Sequence, residues 1–538
     1  MRFRPTIIIV TIALAGWIGY WLAGTAVPRS PVRQDSAKAE NGPKRTLVVD
    51  DPAPRFRRGE RGPMLRRDDE ALDAGALPGQ RNLVFNDQAA LEDFLKRAGN
   101  RVRIMGRIDA LNALRVGFLN GDDLAFLMDG EAQASFVYPV DIPASPDGTA
   151  QAGAVALGAG LLDWLGVSGD NSAWGTGVTV AILDTGVTAN SAFSSKISGI
   201  NLVDLPADPA TQSGHGTAVA SMIIGNGALT PGVAPGASII SVRIANDLGQ
   251  SDSFLLAQGI VAAVDAGARL INISLGSPGD SALVRNAIEY ARSAGSMIVA
   301  AAGNNGVDKV SYPAANEGVI AVGAVDALGN HMEFSNTGRQ IAVAAPGYGV
   351  NAAWTGDQAA SVSGTSFSSP IVVGAIAAVM SQPGSKNLTS SQALALINAY
   401  LNDAGEAGND ESLGAGMPDL SRVMNRNTRG IYDAALASQR VLPPSPGNPY
   451  GQIEVLVQNR GTESLVNTTV QISTPTGMVT SNITSLPVNG VRAVRVPITQ
   501  SASGSMRYDS RVRVTGGLSD AKPSNDRRVE IYAPAVAK

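Results

Sequence analysis

Val178-Thr179-Val180-Ala181-Ile182-Leu183-Asp184-Thr185-Gly186 decides the fold of this chain. Apolar and β-branched residues run unbroken into a carboxylate and a glycine, the pattern of a strand buried on both faces of a parallel sheet. Such a strand delivers Asp184 to its carboxyl end, where open α/β sheets place their sites. On the C-terminal side, residues 239–242, 270–274, 297–301 and 319–322 are further apolar runs, and residues 253–266 and 281–294 carry helical patterns between them. The alternation predicts an α/β layer fold around a parallel sheet.

Two more short motifs carry reactive side chains. His215 sits in Ser213-Gly214-His215-Gly216-Thr217, just ahead of the apolar residues 218–224, so an imidazole projects from the start of a buried helix with glycines on either side. Ser366 closes Ser363-Gly364-Thr365-Ser366, and residues 367–380 are apolar almost all round, as a central buried helix should be. Pro370 is expected in that helix's first turn, where proline is tolerated. A serine hydroxyl needs a neighbouring base to take its proton during attack, and a neutral imidazole suits that task. A buried carboxylate on the other N–H fixes the tautomer and offsets the imidazolium. The oxyanion needs donors already in place, and Ala301-Ala302-Gly303-Asn304-Asn305 ends the strand 297–300 with a side-chain amide. Singly, each motif has an ordinary reading. Asp-Thr-Gly is a common strand exit and resembles the aspartic protease signature, but the chain has no second copy to share a proton with it. Of the 2 histidines, His331 in Gly329-Asn330-His331-Met332 reads as a loop residue.

The order Asp184, His215, Ser366, about 30 and about 150 residues apart, together with the setting of each, resembles the subtilisin-like serine proteases, whose triad runs in this order. The resemblance covers roughly residues 161–424. It implies a three-layer subtilisin-like fold, a triad of Asp184, His215 and Ser366, and an oxyanion hole made by the Asn304 side chain and the Ser366 backbone N–H at a helix amino terminus. Ile271-Asn272-Ile273-Ser274-Leu275-Gly276 resembles the family strand that pairs with substrate backbone, so Ser274, Leu275 and Gly276 are expected on one side of the cleft. Ala301, Ala302 and Gly303, with Ser311-Tyr312-Pro313, are expected to wall the first specificity pocket. Phe334-Ser335-Asn336-Thr337-Gly338 and Ala344-Ala345-Pro346-Gly347 resemble family segments to which no chemistry is assigned. The chain departs from the common pattern at Ala218, Ser221 and Phe367-Ser368. Serine at the last position is shared with the acid-acting sedolisin branch, but that branch uses a glutamate base, and the His215 motif argues against it. The resemblance implies no cofactor for the chemistry. Structural calcium is common in the family, yet no compact acidic loop identifies its ligands here.

A length of 538 residues suggests three or four domains, and a net charge of -4 without long single-sign blocks gives no footprint for nucleic acid. With no cysteine there is neither a disulfide nor a thiolate metal site. Arg2 and Arg4 precede the apolar residues 6–27, about 33 Å long as a helix, so residues 1–30 read as an export signal or a membrane anchor. Gly24-Thr25-Ala26 suits signal cleavage; the length suits an anchor. Export to the periplasm, the medium or the membrane surface follows. Residues 31–80 mix proline, arginine and acids without periodicity and read as a disordered linker. Residues 81–143 alternate strand and helix patterns, with strands expected over 102–119. Leu111-Asn112-Ala113-Leu114-Arg115-Val116 resembles the family's pro-domain, which implies an inhibitor and intramolecular chaperone removed by self-cleavage within residues 141–153. Residues 154–425 hold the peptidase. Over residues 431–534, short alternating runs near 434–436, 452–457, 470–472, 494–498, 511–514 and 528–531 predict a β-sandwich. It resembles the Ig-like adhesion modules of bacterial surface enzymes. These features together imply a self-activating serine endopeptidase acting on proteins or peptides; the alternative is a catalytically silent binding protein that works through the C-terminal sandwich.

Overall fold

The computed structural model describes residues 69, 71–128, 132–144, 151, 153–203, 213–383, 388–474, 476–499 and 505–532. Its largest sheet has seven strands in the order Ile341–Pro346, Val319–Val325, Met297–Ala301, Leu270–Ile273, Thr179–Asp184, Ser238–Arg243 and Ile197–Asn201. All neighbours are parallel. Thr179–Asp184 is interior, and its alternate side chains enter different cores. Val180 and Ile182 pack with the helices His215–Ile224 and Thr365–Ser381, while Ala181 and Leu183 pack with Ser253–Asp265 and Ala282–Ser293. That period-2 split explains why the strand is apolar on both faces and why the fold has three layers.

Residues Thr365 to Met380 of the Thr365–Ser381 helix are all buried. Pro370 lies in its second turn, not the first as expected, because the helix already begins at Thr365. Proline there has no N–H for the carbonyl of Ser366 four residues back. The hydroxyl of Ser274 donates to that carbonyl at 2.7 Å, so the gap in the helix ladder is filled from the neighbouring strand.

N-terminal to this body, an antiparallel sheet in the order Arg103–Ile108, Ala113–Gly117, Gln80–Phe85, Ala132–Phe136 carries the helices Gln88–Ala98 and Gly121–Met128. The strands expected over 102–119 form a hairpin, turned at Asp109–Leu111 and at Asn112, whose φ of 46° is left-handed. Within the stretch expected as linker, residues 71–77 pack on residues 137 and 138. Ala71 and Ala76 pack on Tyr138, and the Leu77 N–H donates to Val137 O at 2.7 Å. Two alanines suffice to cover one tyrosine, a burial too small to show as periodicity.

C-terminal to the seven-stranded sheet, the chain is all β. One sheet holds Ala434–Leu442, Gln452–Asn459 and Val491–Pro497; the other holds Gly477–Leu486, Leu465–Thr474, Met506–Arg513 and Arg527–Tyr532. Both contribute to one core around Val455, Val457, Val470, Ile472, Tyr508 and Val512. Gly477–Leu486 is an edge strand that the sequence pattern does not reveal, because only Ile483 and Leu486 in it are buried. The expectation of a signal or anchor over residues 6–27 lies outside the described residues; among those described, no helix is long and apolar enough to cross a membrane.

Candidate active site

Asp184 ends the interior strand with its side chain fully buried. Its Oδ1 accepts the Thr185 N–H at 2.7 Å and the Thr185 hydroxyl at 3.2 Å, which fixes the plane of the carboxylate. His215 Nδ1 lies 2.9 Å from both Asp184 oxygens. The glycines beside His215 leave room that the structure fills. A Cβ on Gly216 would meet Gly186 O at 2.3 Å and Asp184 Oδ1 at 3.1 Å, and one on Gly214 would strike the Trp354 indole at 2.2 Å. His215 Nε2 is buried and has no hydrogen-bond partner among the described residues. The His215 and Phe367 rings sit 5.4 Å apart, so the residue next to Ser366 packs against the imidazole.

Ser366 is 2% exposed, in the first turn of its helix. Its hydroxyl donates to Ser274 O at 3.2 Å. Below it, Asn272 Nδ2 donates to Ser274 Oγ at 2.9 Å and the Ser369 hydroxyl donates to Asn272 Oδ1 at 2.9 Å, a buried network that ties strand to helix.

Asn304 follows the strand Met297–Ala301. Its Oδ1 accepts the Thr365 N–H at 2.9 Å and the Thr365 hydroxyl at 2.8 Å, which turns the Nδ2 hydrogens toward the cleft. Nδ2 donates to Ala144 O at 3.2 Å. Asn336 holds the same loop from behind, accepting the Asn305 N–H at 2.9 Å and donating to Ala302 O at 3.3 Å. A Cβ on Gly303 would lie 2.4 Å from both Asn336 Nδ2 and Ser311 Oγ, and its φ of 109° excludes other residues in any case. Sequence reasoning singled out neither Thr365 nor Asn336 for a role. Their partners lie 61 and 31 residues away, and no local spacing signals them.

Of the expected substrate-binding residues, Gly276 exchanges backbone hydrogen bonds with Asp141, and Ser274, Leu275, Ala301 and Ala302 are buried. Among the described residues there is no group of three or more His, Cys, Asp or Glu side chains that could hold a metal ion.

Residues 175–416 match the family model described as "Subtilase family". The chain is 39% identical over 209 residues to Subtilisin Savinase of Lederbergia lenta, an alignment covering 38% of this chain and 77% of that protein. It is 37% identical over 247 residues to M-protease of Shouchella clausii (strain KSM-K16), covering 45% of this chain and 63% of that one. Among solved structures, the Epidermin Leader Peptide Processing Serine Protease (EpiP) from Staphylococcus aureus shares the fold, with a TM-score of 0.54 at 20% identity over 65% of this chain and 98% of that one. The chain belongs to the subtilase family and is a serine endopeptidase.

Proposed function

We propose that the chain is an exported, self-activating endopeptidase that hydrolyses protein substrates through an acyl-enzyme formed on Ser366. The observation that carries the reading is the buried Asp184 carboxylate on His215 Nδ1, at 2.9 Å to each oxygen, with Nε2 left free. In the proposed cycle His215 takes the Ser366 proton through Nε2, and Asp184 orients the ring and stabilises the imidazolium. The Asn304 amide and the Ser366 N–H hold the oxyanion. Ser274 to Gly276 receive the substrate backbone as an added strand, and Ala301 to Gly303 border the pocket for the side chain before the cleaved bond.

Residues 81–143 act as a pro-domain that templates and then inhibits the peptidase of residues 154–425. Contacts across the two support this. Arg115 Nη1 pairs with Asp252 Oδ2 at 2.6 Å in a largely buried setting, and the Tyr138 N–H donates to Ser253 Oγ at 3.1 Å. Gly106 lacks a Cβ where one would lie 2.4 Å from the Phe254 ring. Residues 431–534 form an Ig-like sandwich, and residues 1–30 direct export. Comparing wild type with Ser366→Ala tests the reading. Wild type is expected to take a labelled fluorophosphonate and digest casein, and the variant to do neither; a wild-type chain that does neither sinks the proposal in favour of a binding protein.

A further inference from the structure

Residues 139–144 are paired along one side of the proposed site as a substrate would be. Pro139–Asp141 adds antiparallel to Gln250–Asp252, with Val140 opposite Ser251, and the Ile142 N–H donates to Gly249 O at 2.9 Å. On the other side, Asp141 and Gly276 exchange both backbone bonds, at 2.9 and 2.8 Å. Val140 is wholly buried, Asp141 to Pro143 are half-buried, and a Cβ on Gly249 would meet Ile142 at 2.8 Å. Continuing that register sets Pro143 opposite Ser274. Proline has no N–H to give, and the Ser274 carbonyl takes the Ser366 hydroxyl. The next carbonyl, that of Ala144, accepts from Asn304 Nδ2 at 3.2 Å.

A nucleophile attacks the carbonyl whose oxygen the oxyanion donors hold. We infer that the bond on the carboxyl side of Ala144 is the one this enzyme cuts in its own chain. This rests on the self-processing reading above and narrows its window to one bond. Ser366 Oγ adds to the Ala144 carbonyl carbon and its proton passes to His215 Nε2. The same proton then goes to the departing amide nitrogen as the C–N bond breaks, leaving Ala144 as an ester on Ser366. Water adds to the ester carbon, a proton returns through His215 to Ser366 Oγ, and Ala144 leaves with a free carboxylate. The two-sided strand pairing upstream survives the cut, so the product stays in the cleft with its new carboxylate beside Asn304.

The test reads the amino terminus of the peptidase fragment, by N-terminal sequencing and intact mass, from full-length wild type and Ser366→Ala. Wild type is expected to give one new terminus, Ser145-Pro146-Asp147, and the serine variant none. Asn304→Ala is expected to reach the same terminus about 100-fold more slowly. A different terminus in a chain that digests casein, including one starting at Ala144, overturns the inference and leaves the protease reading standing. The same terminus in Ser366→Ala also overturns it, since another protease then makes the cut. A wild-type chain that stays whole, leaves casein intact and takes no fluorophosphonate overturns both.

Discussion

Thr365 stands to Asn304 as Asp184 stands to His215: each accepts or donates on the far side of a side chain and so decides which atoms face the cleft. An amide can flip, and only the flip that sends oxygen to Thr365 gives the cleft a donor. Thr365→Val keeps the backbone bond and loses the hydroxyl one. We expect kcat to fall about tenfold with KM nearly unchanged, and Thr365→Ser to restore it. An equal rise in KM, or no rescue by serine, would assign Thr365 to packing alone. Asp184, His215 and Ser366, the proposed triad, could be singled out in the sequence because each sits in a short motif that such chemistry would demand. Thr365 could not, because its role depends on a loop that reaches it from a different strand.

Five of the seven strands of the large sheet could be read in advance for a related reason; the two edge strands, Ile197–Asn201 and Ile341–Pro346, were not singled out as strands. Burial on both faces makes Thr179–Asp184, Ser238–Arg243 and Leu270–Ile273 predominantly apolar, with few polar interruptions. Edge strands such as Gly477–Leu486, half in water and rich in serine and threonine, give no such signal. Docking between the N-terminal sheet and the helix Ser253–Asp265 was also invisible, since it depends on pairs far apart in sequence. Arg115, on Ala113–Gly117, meets Asp252, whose Oδ1 also caps that helix through the Phe254 and Leu255 N–H groups. Arg115→Met keeps the stem and removes the charge, leaving Asp252 capped but without its ion partner. The proposed inhibitor should then leave about ten to a hundred times faster. The lag before casein digestion in freshly folded enzyme measures this; an unchanged lag would show that strand pairing in the cleft alone holds the segment.

The all-β part is joined to the peptidase through buried polar contacts, which is unlike a module on a flexible tether. Arg422 donates to the carbonyls of Tyr400 and Leu401 on one side and to Asn489 on the other, and Gln458 donates to Leu401 O at 3.0 Å. Nearby, burial and the Asp520 and Asp433 carboxylates push Asp526 up to about 7. An acid with a folded pKa above its unfolded value, near 4, holds its proton more tightly when folded. Its stabilising contribution is full below about pH 4 and is lost as pH rises through about 7. Unfolding temperature should therefore drop between pH 5 and pH 8, and Asp526→Asn should flatten that drop; an unaltered slope would place the titration elsewhere. Arg422 carries the larger consequence. It is 7% exposed, and removing it takes this donor from Tyr400 O and from the Asn402 and Asn489 amide oxygens, while Leu401 O keeps the Gln458 amide. Arg422→Met, which keeps the volume, should cost about 3 kcal/mol. If the two parts fold as one unit, calorimetry will show a single transition moved down by several degrees and casein digestion lost at the same temperature. Two separated transitions, with the peptidase transition unmoved, would mean that the contact tethers the β part without supporting the catalytic one.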